Sequence, residues 1–131
     1  MIRGTRTRTT DNCRVHTLYV NILRTKIIVC IGTPDEKFIK QSWIKLEEIE
    51  NADGLQWIHQ WTWYLYLRSL DIGTLMHELF HLFQDITIFE DKDEREFAAY
   101  LFEDVVNRLV LLEHFKPIDK VKDFYMKEDH D

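Results

Sequence analysis

Thr74-Leu75-Met76-His77-Glu78-Leu79-Phe80-His81-Leu82-Phe83-Gln84-Asp85-Ile86 is the stretch on which the reading of this chain turns. A helix advances about 100° per residue, so with His77 at zero His81 falls at about 40° and Glu78 at about 100°. Leu75, Leu79, Leu82, Phe83 and Ile86 fall between about 140° and 240°, on the opposite side. The pattern predicts a helix from about Thr74 to Ile86 that packs one face and turns two imidazoles and a carboxylate towards a cleft. Residues four apart on a helix have Cβ atoms about 5–6 Å from each other. That spacing lets two ring nitrogens meet one metal ion at about 2.0–2.1 Å. The plain alternative is that two histidines and a glutamate decorate a solvent-facing helix surface.

A hydrolytic zinc site takes three protein ligands and leaves a fourth position for water, so a further donor is needed. The acidic stretch Glu90-Asp91-Lys92-Asp93-Glu94 predicts a second helix from about Asp93 to Phe115, with its acids where the helix dipole favours them and Pro117 closing it. With Glu96 set to zero on that helix, Tyr100, Asn107 and Glu103 lie within about 40° of it. Ala98, Leu101, Phe102, Val105, Leu109 and Leu112 occupy the apolar arc. Glu96 is therefore the leading third ligand, against the alternative of a solvated stripe shared with Glu103 and Asp104. Glu94 projects into the apolar arc and ranks lower. Asp85, four residues after His81, is a rival ligand or an outer group that orients a histidine. Tyr100 and His114 are candidate oxyanion donors, although a packing tyrosine and a surface histidine are the simpler readings.

Upstream of the motif, Val15 to Leu23 alternates with His16, Leu18, Val20 and Ile22 on one face, and Lys26 to Ile31 is a β-branched run ending at Gly32. Together they predict a hairpin turning near Arg24-Thr25. Thr33-Pro34-Asp35-Glu36 has the form of a capping box, predicting a helix to about Glu50. After the turn signal Asn51-Ala52-Asp53-Gly54, the residues Leu55, Trp57, Trp61, Trp63, Leu65 and Leu67 share one parity. They predict a strand bent near His59-Gln60, with Trp57, Trp61 and Trp63 in a sheet core.

The chain has 131 residues, 45% of them hydrophobic, with 8 Phe, 5 Tyr and 4 Trp. That suffices for one domain with a real core and excludes disorder as the default. Its formal net charge of −6 argues against a nucleic-acid partner, because phosphate neutralisation needs clustered cations. The one basic cluster, Arg3, Arg6, Arg8 and Arg14, reads as a solvated tail. The expected organisation is a flexible basic tail over 1–14, one domain over 15–115 and a charged C-terminal tail over 116–131. Cys13 and Cys30 cannot be assigned as a disulfide without geometry, and a reducing cytoplasm is the simpler setting. No stretch approaches the roughly 18 uncharged apolar residues of a membrane span.

The sequence resembles the small zincins with a glutamate third ligand, particularly phage- and plasmid-type domains and the ImmA/IrrE-like metallopeptidases. The resemblance rests on Thr74-Leu75-Met76-His77-Glu78-Leu79-Phe80-His81 and on the weaker Glu96-Phe97-Ala98-Ala99-Tyr100-Leu101. It implies zinc (Zn2+) held by His77, His81 and Glu96, with Glu78 as catalytic base for hydrolysis of a peptide or protein substrate. It also implies that the strand around Trp61 to Leu67 borders the substrate cleft and pairs with an extended peptide. The second motif lacks the Ala-Asn pair common in regulatory members, so control of a repressor is not expected. The expected fold is α+β, a short antiparallel or mixed sheet packed on the active-site helix and the long helix after it. The alternative function is a zincin-like protein-interaction module with a structural or vestigial metal site.

Overall fold

Alternating and β-branched segments fill the first half of the chain and helical periodicity fills the second, and the fold follows that division. The computed structural model describes residues 1–21, 25–85 and 91–114. Its elements run β1 (Ile2–Thr9), β2 (Cys13–Val20), β3 (Thr25–Gly32), α1 (Glu36–Ser42), α2 (Leu46–Glu50), β4 (Gly54–His59), β5 (Thr62–Leu67), α3 (Ile72–Asp85) and α4 (Lys92–His114). The five strands form one mixed sheet in the order β1-β2-β3-β5-β4, parallel only between β3 and β5. The α+β class is as expected, and β2 and β3 pair antiparallel. The turn expected near Arg24-Thr25 involves residues 22–24, outside the described residues, as does the tail over 116–131.

β3 is central and buried on both faces. Ile27, Val29 and Ile31 join Leu18, Val20, Leu65 and Leu67 beneath α3 and α4, while Ile28 and Cys30 join Val15, Phe38 and Tyr64 beneath α1. Parallel pairing requires this two-sided cover, which is why the strand reads as a continuous apolar run. Cys13 and Cys30 are free thiols in the α1-side core. Burial, then the neighbouring Cys13, pushes the Cys30 thiol up, which makes it a packing group at neutral pH.

Several boundaries differ from expectation. The basic segment is not a tail, because Ile2–Thr9 is edge strand β1, paired antiparallel with β2 and carrying a register shift between Ile2 and Gly4. Its alternation of Arg with β-branched Thr suits an edge strand, where charge also discourages further pairing. A hydrophobicity pattern overlooks it, since Ile2 is its one buried residue. The expected helix to Glu50 is broken into α1 and α2 at Trp43, whose backbone is left-handed with φ 61°. Its N-cap is Asp35, whose side chain accepts from Phe38 N at 2.9 Å. The long strand is a hairpin, because Gln60 and Trp61 take φ of 49° and 64°, the two-residue turn that matches strand twist. That turn leaves β5 between β3 and β4, so the strand at Trp61 to Leu67 has no edge for a peptide; the outer edge belongs to β4.

α4 is fastened at two points. Near its middle Asp104 accepts from Ile2 N at 3.0 Å. At its C-terminal end Glu113 accepts from Arg14 Nε at 2.8 Å and lies 2.7 Å from Nε2 of fully buried His16, whose Nδ1 is 2.9 Å from Thr7 Oγ1. Burial alone raises the Glu113 carboxyl, but the hydrogen bonds from His16 and Arg14 prevail and hold it at about 2. A carboxyl depressed on folding stabilises fully above its ordinary value of 4.5 and loses that contribution as pH falls towards 2. Glu113→Gln is therefore expected to cost about 3 kcal/mol at pH 7, at about 1.4 kcal/mol per pH unit. In urea melts the gap from the parent protein should narrow between pH 4.5 and 2; a gap independent of pH would remove the electrostatic explanation.

Candidate functional site

α3 begins where the local chemistry satisfies its first amides. Asp71 Oδ2 accepts from Thr74 N at 3.1 Å and from Thr74 Oγ1 at 2.8 Å, and those hydrogen bonds hold its carboxyl below the ordinary range. The helix thus starts at Ile72, two residues before the expected Thr74. Leu75, Leu79 and Leu82 are fully buried against the sheet and α4, with Phe83 half-buried against the rings of Trp63 and Phe102 at centroid distances of 6.1 and 5.7 Å. Ile86 lies outside the described residues.

Burying that face turns His77 and His81 outward. Both are exposed, their ring centroids are 4.6 Å apart and their planes cross at 76°. His81 Nδ1 lies 3.2 Å from Gln84 Oε1, a contact that orients the ring. Glu78 is half-buried on the flank facing β4. Desolvation raises its carboxyl, while the charges of His77 and His81 pull the other way.

What brings Glu78 so close to the sheet is Gly54, the first residue of β4. A Cβ on Gly54 would lie 2.8 Å from Glu78 Cγ, 2.8 Å from Thr74 Cγ2 and 3.3 Å from Tyr66 O, so any side chain there would wedge the helix off the strand. The residue was legible in sequence only as part of a turn signal. Two residues on and on the same face, Gln56 carries a buried Oε1 without a hydrogen-bond donor among the described residues.

The acidic candidates are less gathered. Among the described residues no group of three or more His, Cys, Asp or Glu converges in a metal-ligating cluster. Glu96 is exposed on α4. Glu103 and Tyr100, the latter 60% exposed, line with Met1 and Asn107 a cavity of about 340 Å3 at the β1 edge of the sheet, whereas α3 packs on β4 and β5 at the other. Glu94 takes part in capping α4, its backbone N–H donating to Asp91 Oδ1 at 2.7 Å. The side chains of Asp85 and His114 lie outside the described residues. Two imidazoles one turn apart fit two positions of a zinc ion in donor type and placement.

Comparison of the chain with protein-family models, with curated proteins and with solved structures returns no match. The resemblance to zincins therefore rests on the sequence motif. No helix among the described residues is long and apolar enough to cross a membrane.

Gly54→Ala tests the close approach. It is expected to destabilise by about 1–3 kcal/mol, the usual cost of overpacking, and to displace Glu78. Thermal or urea melts of the variant check it, and unchanged stability would show that the helix has room to spare.

Proposed function

We propose that the protein is a zinc-dependent metallopeptidase in which His77 and His81 hold the ion and Glu78 is the general base. The observation that carries this reading is the joint placement of the three side chains. The two imidazoles are exposed on one helix face, and Glu78 is half-buried beside them against the backbone of edge strand β4. A solvated, decorative face would not require a glycine to seat its carboxylate.

Zinc in such a site supplies Lewis acidity, which draws the pKa of a water towards neutrality and polarises a carbonyl. The chain's own groups do the rest. Glu78, with a carboxyl raised by burial, takes a proton from the attacking water and delivers it to the leaving amine nitrogen. The outer edge of β4, unpaired among the described residues, offers backbone donors and acceptors to an extended peptide, which would lay its scissile carbonyl along the flank that Glu78 occupies. The third ligand is drawn from Glu96, Asp85 and Glu94; Glu103, at the β1 edge, lies away from α3. Glu96 remains first by motif, with Asp85 its rival by sequence spacing, four residues after His81.

A second reading, a zincin-like interaction module with a structural or vestigial metal, is favoured by one feature. Met76 and Phe80, 40% and 59% exposed, lie beside the histidines and give that face an apolar character suited to a protein partner.

Elemental analysis of purified protein, run beside a peptide-hydrolysis assay, separates the two. About one zinc per chain is expected, retained in Glu78→Gln while peptide hydrolysis falls at least a hundredfold, and lost in Glu96→Ala or Asp85→Ala according to which supplies the third donor. Folded protein that takes up no zinc after reloading would overturn the enzyme reading and leave the interaction module.

A further inference from the structure

The net charge of −6 conceals a strong segregation of cations. On the face of the sheet turned away from α3 and α4, two cavities of about 470 and 200 Å3 adjoin and share Tyr19 and Lys26 in their walls. The larger is completed by Arg3 and Trp61, the smaller by Arg6, Arg8 and Lys37. Arg8 is already paired with Asp35, and Arg14 with Glu113. Arg6, Lys26 and Lys37 have no carboxylate partner among the described residues, and Arg3 stands 5.9 Å from the centre of the Tyr19 ring.

Trp61 adds an aromatic surface to these cations. It sits at the tip of the β4–β5 hairpin with φ 64°, a conformation unfavourable for a bulky residue, and it is 90% exposed. Folding gains almost nothing from its indole, yet the backbone holds it in place, with Thr25 Oγ1 donating to its carbonyl oxygen. A strained, solvent-facing tryptophan at the mouth of a cationic cavity has the form of a stacking platform.

From these features we infer that the β1–β3 face binds single-stranded nucleic acid, with Arg3, Arg6, Lys26 and Lys37 on successive phosphates and a base stacked on Trp61. Arg3 and Arg6 lie on β1, Lys26 on β3 and Lys37 on α1, so the two joined cavities spread these cations over three elements and suit an extended, multiply charged chain better than one small anion. An acidic peptide would satisfy the cations, but only a nucleic acid carries a planar base beside every anionic group, and that pairing of anion with ring matches the cations beside Trp61. The inference is independent of the histidine site. It also revises the expectation drawn from net charge, which averages over surfaces that the fold keeps apart.

Fluorescence anisotropy of the full chain with a labelled 12-nucleotide single-stranded DNA of mixed sequence tests it. Three or four phosphate contacts predict a slope of log K on log salt of about −2 to −3. Arg6→Glu with Lys26→Glu should weaken binding at least tenfold and flatten that slope. Trp61→Ala should weaken it about tenfold with the slope unchanged, and so exposed a residue can be truncated without unfolding the chain. Lys40→Glu, which removes an ammonium paired with Glu36 on α1, should bind as the parent does. No salt-dependent binding, equal competition by poly-glutamate or anionic vesicles, or a Trp61→Ala variant that binds like the parent would each overturn the proposal.

Discussion

Leu75, Leu79 and Leu82 have no exposed surface, and their burial sets the azimuth of α3. Each contributes roughly 1.5–3 kcal/mol by removing its side chain from water, an upper figure because the unfolded chain already hides part of it. Turning the helix enough to bury a histidine would expose at least one of them, so the outward direction of His77 and His81 is a consequence of packing elsewhere. The flanks are fixed as well. Gly54 admits Glu78 on the β4 side, and the rings of Phe83 and Phe102 meet on the α4 side. What remains open is an arc holding the two imidazoles, Met76 and Phe80.

The sheet beneath α3 owes its order to the β3–β5 parallel pairing, which forces a crossover and so places α1, α2 and β4 between two adjacent strands. Asp35 ties this excursion down. It caps α1, and it also accepts from Arg8 of edge strand β1, the bond that does most to lower its carboxyl. The end of α1 is satisfied by aromatic donors, Trp57 Nε1 to Ser42 O at 2.9 Å and Tyr64 OH to Gln41 O at 3.2 Å. Carbonyls at the helix end that no further turn can satisfy are thus served by the sheet they cover.

The features legible in the sequence were those written as apolar period. The faces of α3 and α4 and the two-sided burial of β3 follow from leucine and β-branched spacing, as does the pairing of His77 with His81 on one face. Features written in polar residues were missed. β1 is a strand of alternating Arg and Thr that earns its place through backbone pairing, and its Arg8 and Thr7 find partners, Asp35 and His16, that no local pattern announces. Shared parity from Leu55 to Leu67 concealed a reversal, because a two-residue turn built from Gln60 and Trp61 lacks the Asn-Gly signature of positive φ. The third metal donor is illegible for a different reason. It depends on how one helix is set against another, which periodicity along either does not encode.

That hidden hairpin is also what relates the two surfaces. Gly54, at the start of β4, lies against Glu78 on the side of the sheet covered by α3. Trp61, at the tip, lines the cavity shared with Arg3 and Lys26. Six residues separate them, five of them in β4, a span of about 20 Å at the usual rise. An occupant at either end therefore has no steric claim on the other, and the buried layer of Trp63, Leu65 and Leu67 lies between. The two ends nevertheless belong to one ribbon paired without interruption from Gly54↔Leu67 to His59↔Thr62. The ribbon is thus one continuous path between the histidine face and the cationic face, through a strand whose first residue sits where a Cβ would meet Glu78.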